Sequence, residues 1–296
     1  MSTTNPIKNK VTTLKKEYDT LKKDKESLLH IIDESELSES VYNSNAIENS
    51  TLTLKETEKI LLEMEVSRNV SLREVFEAKN LARVMEYVQT MSQNKEISKE
   101  LILLLHKMLI TNIDDAIAGR FRASGEYVRV GTHIGTPPEK IIHLIEELLV
   151  TYTSSHDKYF LDKIAQFHLE FEAVHPFNDG NGRIGRVLIN YQLYRHGFPG
   201  IIIRNKDRSK YHKTFDLFND RKDTKSMEKI VALALMESLH KRISYLKEET
   251  IITLTDYAKG IQKPTPTLLN AAARQTIPAF REKNVWKIAK SFKASK

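Results

Sequence analysis

Apolar residues recur every three or four positions over most of the chain, the spacing of helices that each bury one face. The stripe Leu14, Tyr18, Leu21, Leu28 and Ile31 predicts a charged amphipathic helix over 11–32, suited to packing or pairing. Further helical patterns cover 71–91, 98–110, 139–152, 161–174, 186–196 and 226–246, separated by breaks near Asn94, Pro137, Pro138, 197–199 and Asp220. Between them, 119–122 and 127–134 alternate in the manner of short strands, bounded by Gly119, Gly131 and the Pro137-Pro138 pair, and predict a hairpin. Pro176 stops the helix that enters through Phe167, His168 and Phe171, so the chain turns at His175; His168 and Phe171 are expected in the core or just behind that turn.

Beyond Glu249 the periods shorten. Residues 252–258 read as a capped helix start, Pro264-Thr265-Pro266-Thr267 as a break, and 268–275 as a second short helix. Residues 277–281 and 285–288 then read as two strands joined by a polar turn at Glu282-Lys283-Asn284. No solenoid period or low-complexity tract interrupts the sequence.

With 296 residues, a main domain plus a smaller one is the natural expectation. The absence of Cys removes disulfides and thiolate metal sites from consideration, and a reducing cytoplasm is the expected compartment. No stretch approaches the apolar length of a membrane span, and the first ten residues lack the order of a signal peptide, so a soluble protein without a membrane partner is expected. Charge is uneven: the net +7 of the whole chain equals that of residues 251–296, which hold nine Lys and Arg against two Asp and Glu. A basic tail on a neutral body suggests an acidic partner for the tail.

The densest chemistry lies in His175-Pro-Phe-Asn-Asp-Gly-Asn-Gly-Arg-Ile-Gly-Arg186. His175 can accept a proton near neutral pH. Asp179 offers a hard oxygen of the kind Mg²⁺ takes together with substrate phosphates. Gly180 and Gly182 let the backbone bend around Asn181 and direct N–H groups at an anion. The pattern Ile184, Val187, Leu188, Tyr191 starts a helix there, which adds its positive end. Arg183 and Arg186, three apart, can face one polyanion.

This run resembles the Fic-domain signature H-P-F-x-(D/E)-G-N-G-R-x-x-R at all nine specified positions. The resemblance implies AMP transfer from ATP to Ser, Thr or Tyr hydroxyls of proteins, the chain itself included, with pyrophosphate released. It assigns His175 as general base, Phe177 as the buried anchor of the loop and Asp179 as the Mg²⁺ ligand. Gly180, Asn181 and Gly182, with the neighbouring Ile184 and Gly185, would form the nucleotide cradle, and Arg183 and Arg186 would engage the β and γ ends of ATP. Ser44-Asn45-Ala46-Ile47-Glu48-Asn49 resembles the (S/T)-x-x-x-E-(G/N) inhibitory motif of the same family. There Ser44 and Glu48 would share a helical face, and Glu48 would pair with Arg186 and deny it to the γ-phosphate. Leu52, Leu54, Ile60, Leu61 and Leu62 follow at helical spacing.

Residues 119–138 resemble the family's flap, a hairpin over the active site that receives a target backbone as an added strand. Val130, Gly131, Thr132 and His133 would meet nucleotide or target there. The stretch from Arg122 to Tyr127 is slightly longer than the usual flap entry. The segment 207–212, with Tyr211 and then Asn219, resembles the family's base- and ribose-contacting segment, although His212 stands where relatives commonly carry a second Tyr. The expected fold is therefore mainly α: an N-terminal helical segment over 1–40, a Fic-type core with a β-hairpin flap over 41–246, and a small basic module over 251–296. That module is similar to winged helix-turn-helix modules of the excisionase type, which implies DNA binding through Arg274, Arg281, Lys283 and Lys287, with a homodimer through 11–32 as a companion expectation. The expected function is a protein adenylyltransferase held low by Glu48. The alternatives are a DNA-binding regulator whose Fic core senses nucleotide, and an enzyme that mainly removes AMP.

Overall fold

The protein is described by a computed structural model over residues 3–66, 69–93, 96–130 and 133–293. In chain order its elements are α1 (Asn5–Leu21), α2 (Glu26–Ile47), α3 (Leu54–Glu58) running into a π turn (Lys59–Glu63), α4 (Leu72–Met91), α5 (Lys99–Ile110), β1 (Arg129–Val130), β2 (His133–Ile134), α6 (Ile141–Ser154), α7 (Phe160–Val174), α8 (Asn181–Arg195), α9 (Arg208–Arg221) and α10 (Lys225–Leu246). A terminal unit follows: β3 (Ile251–Thr253), α11 (Leu254–Gly260), α12 (Thr265–Ala273), β4 (Phe280–Glu282) and β5 (Val285–Ala289). Local chemistry starts several of these. The Ser71 and Ser98 hydroxyls accept from the amides of Glu74 and Leu101 and cap α4 and α5, while Thr53 and Glu56 form a reciprocal capping box on α3.

The helix expected over 11–32 is two helices. Asp24 takes a left-handed φ of 60° between α1 and α2, which breaks the rod in a Lys-rich turn. Val11, Leu14 and Tyr18 are buried and pack with residues of α10, whereas Ile31, the last residue of the expected stripe, is exposed. Position 40, where the N-terminal segment was expected to end, falls inside α2, which runs on to deliver 44–47 to the middle of the molecule.

The pair α7 and α8 lies at the centre: α8 is buried on nearly every side, and α7 buries Leu161, Ile164, Phe167, His168, Leu169 and Phe171, leaving Lys163, Gln166 and Glu170 half-buried on its one polar stripe. One apolar cluster joins the pair to α4 and α5 through Leu81, Leu105, Phe171, Ile184 and Leu188. The other joins it to α1 and α10 through Leu14, Leu169, Ile189, Val231 and Leu235. The β1–β2 hairpin pairs Arg129 with Ile134 and Val130 with His133.

The terminal unit has its own small core of Leu254, Tyr257, Leu268, Ala272 and Ile288 under an antiparallel sheet of order β3-β5-β4. Two boundaries differ from the sequence pattern. Ile252 belongs to a strand that pairs with β5, and Thr253 then caps α11. The Pro264-Thr265-Pro266 stretch opens α12 instead of breaking the chain, since proline in the first turn forfeits no helical hydrogen bond.

This unit is fastened to the helical body by charge. Arg281 binds the Glu237 carboxylate at 2.7 Å and Asp207 at 3.3 Å while lying 4.6 Å above the Trp286 ring. The amides of Lys283 and Asn284, in the β4–β5 turn, donate to Glu39 of α2 at 3.1 and 3.2 Å. Buried Arg204 bridges Glu39 and Glu237. Lys283 also pairs with Glu58, and Lys287 with Glu282. Three of the four basic side chains expected to meet DNA phosphates are thus held by carboxylates, two of them by carboxylates of the helical body; Arg274 is exposed.

Candidate active site

The turn from α7 to α8 sets the site. His175 closes α7 in a left-handed conformation, φ 50°, with its amide still bonded to Phe171 O. Gly180, φ 83°, precedes α8, a conformation that suits glycine. Between them Phe177 is fully buried and stacks on His106 of α5, 3.7 Å between ring centroids. The Asn181 side chain turns back on the loop: its Oδ1 accepts from the Phe177 amide and its Nδ2 donates to the Phe177 carbonyl, both at 2.8 Å. Asn181 therefore braces the loop, and only its backbone can face an anion.

His106 supports the same loop from below. It accepts from the Gly119 amide at Nδ1, so Nε2 carries the proton and donates to Asp179 O, each at 3.0 Å. Burial holds its pKa down to about 4, consistent with a neutral ring between two backbone groups.

The first turn of α8 opens an anion site. Ile184 N–H bonds back to Gly180 O, which leaves the amides of Asn181, Gly182 and Arg183 at the helix mouth. Ile184 and Gly185, expected at the nucleotide, are turned inward: Ile184 is fully buried, and a Cβ on Gly185 would strike Glu172 Oε1 and His168 of α7. Glu48 of the α2 terminus occupies the mouth. A Cβ on Gly182 would collide with Glu48 Oε1, so this glycine makes room for that carboxylate.

Glu48 Oε1 lies 2.9 Å from Arg186 Nη2. The Arg186 guanidinium also donates to Ser44 Oγ at 2.9 Å and to the Ser44 carbonyl at 2.8 Å, and is itself buried. Burial opposes ionisation of Glu48, yet Arg186 outweighs it and holds the carboxyl below its ordinary range. Asn49 follows with φ 71°, ending the helix just past the carboxylate.

Asp179 sits at the rim. Burial works against its charge, but Arg183 and Arg73 outweigh that and keep its pKa low. Its Oδ1 accepts from Arg183 Nη2 at 2.8 Å and its Oδ2 from Arg73 of α4. Arg183, expected on the phosphates, is buried and also pairs with Glu77 at 3.3 Å. An ionised, one-third exposed carboxylate beside the amide-lined mouth is a fitting single-oxygen anchor for Mg²⁺, which usually completes its shell with phosphate oxygens and water. Among the described residues no cluster of three or more His, Asp and Glu could bind a metal without such help.

His175 is largely enclosed; burial, with a contribution from Arg122, lowers its pKa to about 4. Arg122 anchors the start of the flap, donating to the carbonyls of His175, Glu126 and Thr136 at 3.0, 2.9 and 2.7 Å. Of the flap residues, Gly131 and Thr132 lie outside the described residues, and for Val130 and His133 the backbone pairing alone is described. Tyr211, expected at the base, is buried with its hydroxyl 2.7 Å from His168 Nε2 and 3.5 Å from Arg186 Nη1, so it supports the arginine from behind. Asn219 is exposed on α9, two turns beyond.

Residues 96–193 match the model of the Fic/DOC family. The chain contains a Fic domain. A protein named protein adenylyltransferase Fic from Drosophila persimilis is 32% identical over 183 residues, 61% of this chain and 36% of its own length, so the chain spans little more than a third of that relative. A Fic-domain-containing signalling protein from Bacteroides thetaiotaomicron has 25% identity and a TM-score of 0.73, covering 81% of this chain and 98% of its own. A Fic family protein from Desulfovibrio desulfuricans shares the fold over 100% of this chain and 99% of its own, with a TM-score of 0.67 at 19% identity. That likeness in fold extends over the terminal unit as well. Sequence reasoning missed Arg73, Glu77 and His106, which arrive from α4 and α5 with nothing in their own surroundings to mark them, and Glu172, which lies three residues before His175 on α7. Among the described residues, no helix is long and apolar enough to cross a membrane.

Proposed function

We propose that this Fic domain is a protein adenylyltransferase: it transfers AMP from ATP to Ser, Thr or Tyr hydroxyls of proteins, its own chain included, and Glu48 holds it at a low rate. The observation that carries the reading is the Glu48 carboxylate seated in the amide-lined mouth of α8 and paired with Arg186. A helix N-terminus flanked by arginine favours an anion, and here a side chain of the protein takes the place of a phosphate.

When Glu48 withdraws, Arg186 becomes available to the γ-phosphate and the amides of Gly182 and Arg183 to the phosphate chain. The hydroxyl oxygen attacks the α-phosphorus, the bond to the bridging oxygen of the β-phosphate breaks, and pyrophosphate leaves. His175 takes the hydroxyl proton; its depressed pKa keeps the ring neutral and ready at pH 7. Asp179 would hold Mg²⁺, which when bound offsets the charge that builds on the leaving pyrophosphate. The His175 carbonyl, fixed by Arg122, ties the base to the flap that would dock the target.

Mass spectrometry of a lysate incubated with the Glu48→Gly protein and ATP tests this. Peptides heavier by one AMP on hydroxyl side chains are expected, absent with Glu48→Gly/His175→Ala; no such peptides, on the chain itself or in the lysate, would refute it. DNA binding by 251–296 has narrower support, since Arg281, Lys283, Lys287 and Lys259 are paired with carboxylates, while Lys263, Arg274, Lys290 and Lys293 are exposed. A duplex gel shift at low salt, weakening with a log–log slope of about −0.9 per phosphate contact, is its test.

A further inference from the structure

Beneath His175 lies a line of buried polar groups that the proposed reaction does not use. Glu172, one turn earlier on α7, places Oε2 3.9 Å from His175 Nδ1. Its Oε1 is buried without a hydrogen-bond partner, and His175 Nδ1 is buried with the Glu172 backbone carbonyl as the other acceptor nearby. Gly185 on α8 is what admits the Glu172 carboxyl, since a Cβ there would collide with Oε1. His168 continues the line through Nε2 to the Tyr211 hydroxyl, which reaches Arg186. An unpartnered carboxyl sealed under a proton acceptor is costly to keep unless it acts.

We infer that Glu172 is a positioning residue for His175: it accepts the Nδ1 hydrogen of the neutral imidazole, fixing the tautomer whose free Nε2 lone pair faces the incoming hydroxyl. This rests on His175 being the base of the proposed reaction. The 3.9 Å separation is longer than a hydrogen bond, as such contacts often are before substrate binds, and a small side-chain rotation closes it. Burial first, and the Glu48 charge second, raise the Glu172 pKa to about 8, so at neutral pH it is mainly the uncharged acid. An uncharged carboxyl still accepts through its C=O oxygen, and a glutamine amide in the same place accepts equally well. Tautomer control of this kind works through the second ring nitrogen.

The test compares Glu172→Gln and Glu172→Leu in the full chain carrying Glu48→Gly, reading self-labelling with ATP together with ¹⁵N chemical shifts of the His175 ring. Glu172→Gln should label within about threefold of its parent and keep the Nδ1–H tautomer. Glu172→Leu should fall by at least tenfold in kcat with KM for ATP little changed, and its ring should shift toward the Nε2–H form. If Glu172→Leu folds, keeps the tautomer and labels like its parent, the inference is wrong. A Glu172→Gln protein that melts normally yet is as slow as Glu172→Leu overturns it too, because acceptance alone would then be insufficient. His175→Ala in the same background isolates the underlying reading: if it still labels, His175 is not the base, whatever Glu172 does.

Discussion

Replacing Glu48 with glycine removes the carboxylate paired with Arg186 in the mouth of α8, and the size of the effect can be estimated. Unit charges 2.9 Å apart attract by about 6 kcal/mol at an effective dielectric constant of about 20. Much of this is offset. The Glu48 side chain is 40% exposed and well hydrated when released, and Arg186 keeps both Ser44 bonds after the carboxylate has gone. A net competition of about 1–3 kcal/mol between Glu48 and a γ-phosphate is what such a site sustains, equivalent to about 5–150-fold. Initial rates of ³²P incorporation from α-labelled ATP into the chain should therefore rise about 10–100-fold in Glu48→Gly at sub-saturating ATP, and by a smaller factor in Glu48→Gln, which keeps the bulk but loses the charge. Equal initial rates for wild type and Glu48→Gly, with ATP binding intact, would refute the competition and leave 44–49 as an ordinary helix end.

Three other outcomes follow from the geometry. His175→Ala should lose about 10²–10⁴-fold in transfer while ATP binding measured by calorimetry persists. Because the neutral ring is the active form and its pKa is lowered to about 4, activity should hold as pH falls from 7 to 5 and decline only near 4; an acidic limb centred near 6.5 would contradict the burial seen here. Asp179→Ala should match the loss produced by EDTA, and labelling that continues under chelation would exclude a metal at that carboxylate. Arg204→Ala would leave the buried carboxylates of Glu39 and Glu237 facing each other without their shared cation, a cost of about 3–5 kcal/mol that chemical denaturation would register; an unchanged midpoint would show the network to be dispensable.

How much of this was legible in the sequence depends on the distance over which each contact acts. The α7–α8 turn and the helix starts at Ser71 and Ser98 depend on neighbours within a few residues, so their patterns survive in one dimension; the strand expected over 119–122 does not form, and the hairpin is confined to 129–134. The pairing of Glu48 with Arg186 spans 138 positions and was accessible only through resemblance to a family. Arg73 and His106 reach the loop because α4 and α5 pack against α8, which no local period reveals. The same limit hid the fate of the basic tail: net charge shows that lysines and arginines are present, but not that Glu58, Asp207 and Glu237 wait across the fold to receive them.

The continuity of α2 has a mechanical consequence. Its 22 residues make a rod of about 33 Å with Glu48 at the tip, and Glu39, nine residues back, is the point where the β4–β5 turn holds on. A helix resists bending far more than it resists tilting, so a small tilt imposed at the grip appears, amplified by about 13 Å of lever arm, at the carboxylate. The terminal unit and the Glu48 carboxylate are thus joined by one unbroken helix, gripped at buried Glu39 and carrying the carboxylate at its end.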